Sequence, residues 1–201
     1  MFKHLYCAYG FCTTLAVAAL LSGSPHAATL KAVVDLDPAQ TSITFTLTGF
    51  PHTTTGSFKL KSGSMIVDPQ TGAARGLIVV DAASGSTGIA MRDRKMTNRI
   101  LDAPHYPEVR FAPQRAEFGP TSAPDFTVSI RGLIYLHGNA HAITLIARVH
   151  RSGARLSAAT RLTIPYVKWG LENPSLLFLR VSDEVSIEVK TVGRLTWAAA
   201  P

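Results

Sequence analysis

The sequence predicts an all-β domain of about eight antiparallel strands with one short helix, from a two-residue alternation of apolar side chains, closely spaced turn residues and one stretch of helical spacing. The alternation is clearest in Phe126, Val128, Ile130, Gly132, Ile134 and Leu136, which would share one face of a strand. The same period recurs in Ile43, Phe45 and Leu47, in Ile143, Leu145, Ala147 and Val149, in Leu156, Ala158, Thr160, Leu162 and Ile164, and in Val185, Ile187 and Val189. Turn residues separate these runs at Gly49 to His52, Lys61 to Ser64, Asp68 to Gly72, Gly119 to Pro124, Gly138-Asn139 and Ser152-Gly153. Strands joined so briefly are antiparallel neighbours.

One stretch departs from the strand period. Ile89, Met96 and Ile100 fall at helical spacing while Arg92, Lys95 and Arg99 fall on another stripe, so a single helix is expected over 89–101. Pro104 and Pro107 end it and lead into a strand starting near Glu108. Strands with one apolar face each can pack as a sandwich or close into a barrel, and periodicity does not choose between them. Size favours the barrel, whose interior at eight strands either fills with side chains or holds one slender ligand.

The chain opens with Lys3 and His4, an apolar run from Phe11 to Leu21, and the small-residue stretch that ends at Ala27 and Ala28. This order reads as a secretory signal peptide over residues 1–28, followed by one domain over 29–201. The apolar run is about half the ~20 residues that cross a bilayer, so a lasting anchor is not expected. Both cysteines, Cys7 and Cys12, lie in the leader, so the exported domain would rely on its core and ladders, without disulfides. The expected location is periplasmic or secreted. A net charge of +7 suits contact with a membrane surface or a phosphate, and export disfavours nucleic acid as a partner.

Reaction chemistry has little support in the residues. There is no Gly-x-Ser-x-Gly elbow, Ser62-Gly63-Ser64 and Ser84-Gly85-Ser86 read as turns, and Asp183-Glu184 is the sole adjacent acidic pair among thirteen acids. His137 and His141 flank a turn, with His150 beyond, but no acid close to them in the sequence offers a third metal ligand. The protein is therefore expected not to be an enzyme and to hold no metal. The cationic stripe Arg92, Lys95, Arg99 could bind a phosphate head group or could be a solvated helix face. Tyr166, Trp169 and Leu171, with Phe178 beyond, form an aromatic cluster among Pro165, Gly170 and Pro174 that could close over a barrel end, as plug or as ligand contact.

Several segments in order resemble the YceI-like family of polyisoprenoid-binding and lipid-binding periplasmic proteins. They are Asp37 through Phe45, Thr55-Gly56-Ser57-Phe58, the turn Asp68 to Gly72, Arg92-Asp93, Tyr106 through Phe111, Gly132 through Gly138, and Ser182 through Val189. The resemblance implies an extended eight-stranded, lipocalin-like antiparallel barrel with a long isoprenoid in its lumen. It implies lumen contacts from Ile43, Phe45, Phe58, Phe111, Ile130, Ile134 and Leu136, and a polar-head contact from Arg92 beside Asp93. Trp169 joins this ligand-binding set from the aromatic cluster. Two segments depart from the family pattern: Asp102 to His105, where the family often carries an aromatic pair, and the more elaborate Pro165 to Gly170. The implied function is a carrier of an isoprenoid quinone, a polyprenyl phosphate or a similar lipid, with no cofactor beyond that lipid. Transient membrane contact and a homodimer are compatible with it. The alternative is an envelope stress protein whose barrel is filled by side chains and which acts through protein contacts.

Overall fold

The computed structural model describes residues 30–121, 123–175 and 180–199. The expected leader with its two cysteines, and Phe178, lie outside the described residues. In chain order the strands are β1 (Leu30–Leu36), β2 (Ser42–Leu47), β3 (Gly49–Phe50), β4 (Thr54–Val67) and β5 (Ala74–Ser86). Helix α1 (Ala90–Lys95) follows and runs directly into a π-helical turn (Met96–Ile100). The chain then forms β6 (Glu108–Phe118), β7 (Asp125–Leu136), β8 (Asn139–Ser152), β9 (Arg155–Ile164), β10 (Arg180–Val181) and β11 (Val185–Ala199).

Nine of these strands form one antiparallel sheet in the order β1-β11-β2-β4-β5-β6-β7-β8-β9, and further pairings join β9 to β11 and β1 to β4. The β9–β11 ladder, from Val185 opposite Ile164 to Arg194 opposite Arg155, closes the sheet on itself. β1 and β2 occupy one position in the ring, because both lie between β11 and β4. A short 3₁₀ turn at Pro38–Gln40 separates them, with the Asp37 carboxylate accepting the Ala39 N–H at 2.9 Å. The result is a closed barrel of eight strand positions with one short helix, as the sequence predicted. Closure removes the open edges that an exposed sheet would leave.

The alternating runs read from the sequence face inward. Along β7, Val128, Ile130, Ile134 and Leu136 are buried, and Ala147 and Val149 are buried on β8. They form one cluster with Val67, Phe111, Ile164 and Tyr166. Outward positions are exposed, Ile146 at 62%.

Four turn assignments need correction, the first being Gly49 to His52, in which Gly49 and Phe50 form β3 and pair with β10. Lys61 to Ser64 lies inside β4, where the register with β5 shifts between Leu60 and Ser62. A bulge of this kind bends a strand without ending it, so turn-forming residues are tolerated there. Ser84-Gly85-Ser86 likewise belongs to β5. The β7–β8 hairpin turns on His137-Gly138, one residue earlier than expected, with φ of 51° and 78°. Positive φ at both central residues is the twist that a two-residue hairpin requires.

Two ladders stop short and leave gaps in the wall at the same end of the barrel. β5 and β6 pair only from Ile78 opposite Phe111 to Asp81 opposite Glu108, and the chain between them carries the helix. β8 and β9 pair only from Ala147 opposite Thr160 to Ser152 opposite Arg155, and the segment after β9 lies at this second gap.

Candidate functional site

Inside the barrel lies a cavity of about 340 Å³, to which all nine barrel strands contribute lining side chains. Among the described residues none of the lining side chains is charged, and the only hydroxyls are those of Thr41, Thr160, Thr191 and Tyr166. An ionised group placed in such a space would lose its hydration without a partner. The lumen is therefore chemically matched to an uncharged, apolar guest.

Three phenylalanines shape this cavity by lying over glycines. A Cβ at Gly56 would stand 2.5 Å from the Phe45 ring, one at Gly85 2.7 Å from Phe58, and one at Gly132 2.8 Å from Phe111. The missing side chains let the rings lie close against the wall. Phe45 and Phe58 also meet each other, with ring centroids 5.4 Å apart and planes tilted by 41°. Aromatic rings covering strand glycines are a known way to hold curvature in a closed sheet.

One barrel end is closed by two segments outside the strands. The helical turn inserts Met96, Ile100 and Leu101 into the lining, and the segment after β9 inserts Tyr166, Leu171 and Pro174. Arg99 joins these two pieces by a bidentate pair with Glu172, its Nε and one Nη each donating at 2.9 Å. The Arg99 guanidinium holds the Glu172 carboxyl below its ordinary range, chiefly through these hydrogen bonds. Tyr166 is buried and donates its hydroxyl to the Ser182 carbonyl at 2.7 Å. Burial pushes its phenol up to about 12, with the Asp183 carboxylate adding to the effect.

A second space of about 610 Å³ lies on the outer face of the wall, lined mainly by the outward row of β7, β8, β9 and β11, and it shares Ala158, Ala159 and Thr191 of that wall with the lumen. Its rim is polar, with Gln40, Arg148 and Lys190, and with Asp125 and His150 paired at 2.8 Å across β7 and β8. The covered end is thus apolar inside under an ion pair, whereas the charged groove lies on the outer wall.

The sequence-predicted residues divide into two groups. Ile43, Phe45, Phe58, Phe111, Ile130, Ile134 and Leu136 all line the cavity. Arg92, Asp93 and Trp169 do not. Arg92 is exposed on the helix, away from the lumen wall. Asp93 ties down the chain before the helix, accepting from the Thr87 N–H at 2.7 Å and its hydroxyl at 2.6 Å, and from Ser86. The Thr87 hydroxyl is the main cause that holds the Asp93 carboxyl below its ordinary range. Ile89, expected on the apolar stripe, is half exposed, and Leu101 takes the inward position with Met96 and Ile100. The π turn, closed by the Leu101 N–H to Met96 carbonyl bond, rotates the stripe relative to a regular helix.

Trp169 stacks flat on His141, with centroids 4.1 Å apart and planes 3° from parallel. The sequence set His141 beside a turn, and it sits inside β8 on the inward row with Ile143 and Leu145. Its place two residues before that alternating pair was the available signal. His137 instead packs its ring on Tyr106, 4.8 Å between centroids. The acid beside His150 was missed because Asp125 is twenty-five residues away in sequence and adjacent only through the ladder. Among the described residues no group of three or more His, Cys, Asp or Glu is placed to hold a metal ion. No helix among them is long and apolar enough to cross a membrane.

A closed antiparallel barrel with an uncharged lumen, one short helix and a covered end defines a lipocalin-type barrel. Residues 35–192 match the model of the YceI-like domain, and the chain belongs to that family. Among solved structures it is similar to Burkholderia cenocepacia BcnA, with 21% identity and a TM-score of 0.64 over 79% of this chain and 99% of that one. It is also similar to a polyisoprenoid binding domain from Saccharophagus degradans implicated in plant cell wall breakdown, with 20% identity and a TM-score of 0.66 over 81% and 98%. Comparison with curated proteins finds no match.

Proposed function

We propose that the protein is an exported, non-catalytic lipid carrier that holds a long apolar chain, of isoprenoid type, along the barrel axis. The observation that carries this reading is the lumen of about 340 Å³ with no charged lining side chain among the described residues. That volume is within the roughly 300–1,000 Å³ range of small-molecule pockets. Burial of each methylene contributes about 0.8 kcal/mol, so an isoprenoid tail supplies ample gross affinity before ordering costs. Membership of the YceI-like family and the fold shared with a polyisoprenoid binding domain support the same class of guest.

The signal-like N-terminus supports a periplasmic or secreted location and cleavage near Ala27 or Ala28. A carrier there would take its lipid from one membrane surface and deliver it to another by transient contact. The test is purification from the native envelope, organic extraction and mass spectrometry of the extract. A prenyl lipid recovered in near-stoichiometric amount is the expected result. Repeated recovery of lipid-free protein, with no uptake of added prenyl lipid, would sink the reading.

A further inference from the structure

The four hydroxyls of the lumen are engaged within the protein, Thr41 with Thr191, Thr160 with the Ile146 carbonyl and Tyr166 with the Ser182 carbonyl. His141, which adjoins the lining without being part of it, keeps an unpartnered nitrogen. His141 Nε2 is the only buried side-chain nitrogen or oxygen among the described residues that lacks a hydrogen-bond partner. It belongs to the inward row of β8, followed by the lumen residues Ile143 and Leu145, and its cross-strand neighbour is the lumen residue Ile134. Trp169 fixes the ring by flat stacking on one face. The site lies where β8 and β9 have separated, since their ladder ends at Ala147 and Thr160. There the wall is made by side chains of the 165–171 segment, including the lumen residues Tyr166 and Leu171.

Resting on the carrier reading, we infer that His141 Nε2 hydrogen-bonds an uncharged oxygen, a hydroxyl or carbonyl, at the polar end of the bound lipid. A neutral imidazole offers one donor and one acceptor nitrogen, so the buried nitrogen matches either kind of oxygen according to tautomer. A charged head group does not suit the place, because His141 forms no ion pair and the adjoining lumen wall is uncharged. Arg92, exposed on the helix, is not part of this contact. Trp169 is a positioning residue here, holding the imidazole in the orientation that presents Nε2.

The two tryptophans of the chain are Trp169 and Trp197, so a Trp197→Phe background leaves Trp169 as sole reporter beside the site. Farnesol, the hydrocarbon farnesene and farnesyl diphosphate are titrated into this protein and into its His141→Phe and His141→Gln forms. Phenylalanine keeps a ring under Trp169 and removes the nitrogen, whereas glutamine keeps a hydrogen-bonding group. Farnesol is expected to bind more tightly than farnesyl diphosphate and to lose about tenfold in affinity on His141→Phe. Farnesene affinity should stay within about twofold on the same change, and His141→Gln should recover part of the farnesol loss. Equal loss for farnesol and farnesene, or no loss for either, overturns the assignment. So does a preference for the diphosphate that survives His141→Phe. Binding of farnesene with no preference for farnesol would overturn the His141 contact while leaving the carrier reading standing. Failure of all three probes to bind the parent protein would remove the carrier reading and this inference with it.

Discussion

The ring of Phe58 and the Cε of Met96 occupy the space above Gly85, at 2.7 and 2.6 Å from where its Cβ would be. Both obstructing groups are side chains that line the lumen. At Gly56 and Gly132, by contrast, backbone carbonyls also stand within 2.5 Å of the Cβ position. Gly85→Ala is thus the glycine change that acts on the cavity with least effect on the ladder. It should push Phe58 and Met96 inward, weaken prenyl-lipid binding several-fold, and cost about 1–3 kcal/mol as overpacking does. Chemical denaturation and a lipid titration on the same sample check both effects. Unchanged binding would show that the rings over the glycines do not set the space available to a guest.

The Arg99–Glu172 pair is exposed, so its removal should change global stability little. Its position predicts a kinetic effect, because it joins the two segments that close one end of the lumen. Arg99→Gln should speed release of a bound fluorescent prenyl lipid, by no more than about fivefold for an exposed pair. Stopped-flow release into acceptor vesicles measures it. If guests leave only by the opposite end, the rate will not change.

Acid should loosen the same end. Glu172 and Asp93 both titrate below their ordinary values of 4.5 and 3.8, the first through Arg99 and the second through Thr87. A carboxyl with a depressed folded pKa contributes stability that is present above the unfolded value and lost as pH falls through the folded one. Both contributions therefore hold at neutral pH and fade below about pH 4.5. Asp93→Asn should lower the melting temperature at pH 7 and flatten its decline between pH 5 and pH 3, both about the ordinary carboxyl range. A parallel decline in both proteins would mean that other carboxyls carry the acid sensitivity.

How legible these features were in the sequence depends on what sets each one. Inward positions such as Ile43, Phe45 and Ile134 were readable because a strand has an exact two-residue period, and closure turned that one face into a lumen. Arg92 was placed at the ligand by the family resemblance alone and stands exposed on α1, while the expected stripe of Ile89, Met96 and Ile100 missed the π turn that brings Leu101 inward. Lys61 to Ser64 looked like a turn because bulged strands and turns draw on the same residues. The His141–Trp169 stack and the Arg99–Glu172 pair join residues 28 and 73 positions apart, found only once the chain has folded. No local pattern encodes such contacts.

Tyr166 closes the lumen with its ring and anchors the chain with its hydroxyl, so its two roles can be separated. Tyr166→Phe keeps the ring and deprives the Ser182 carbonyl of its donor, at a cost of about 1–2 kcal/mol. The phenol, raised from 10.0 to about 12, holds its proton longer in the folded state than in the unfolded chain. Its contribution to stability is complete below pH 10 and is lost as pH rises from 10 to about 12. Denaturation across that alkaline range should show a decline in the parent that is reduced in Tyr166→Phe. Coincident slopes would assign the alkaline loss to other groups.

Ala158 lies on the inward row of β9 and lines the lumen. A large ring at this point would enter empty volume, so Ala158→Phe should fold with a melting temperature close to the parent's. Its effect on binding depends on what the barrel is for. If a lipid tail threads the lumen, the ring blocks its path and prenyl-lipid affinity should fall by more than about tenfold, the equivalent of 1.4 kcal/mol. If the protein works through its outer surface, filling the interior changes nothing that a lipid titration or a functional assay in the native host can detect. Full activity in the host with lipid binding abolished would decide for the outer surface, and loss of both together would tie the function to the lumen.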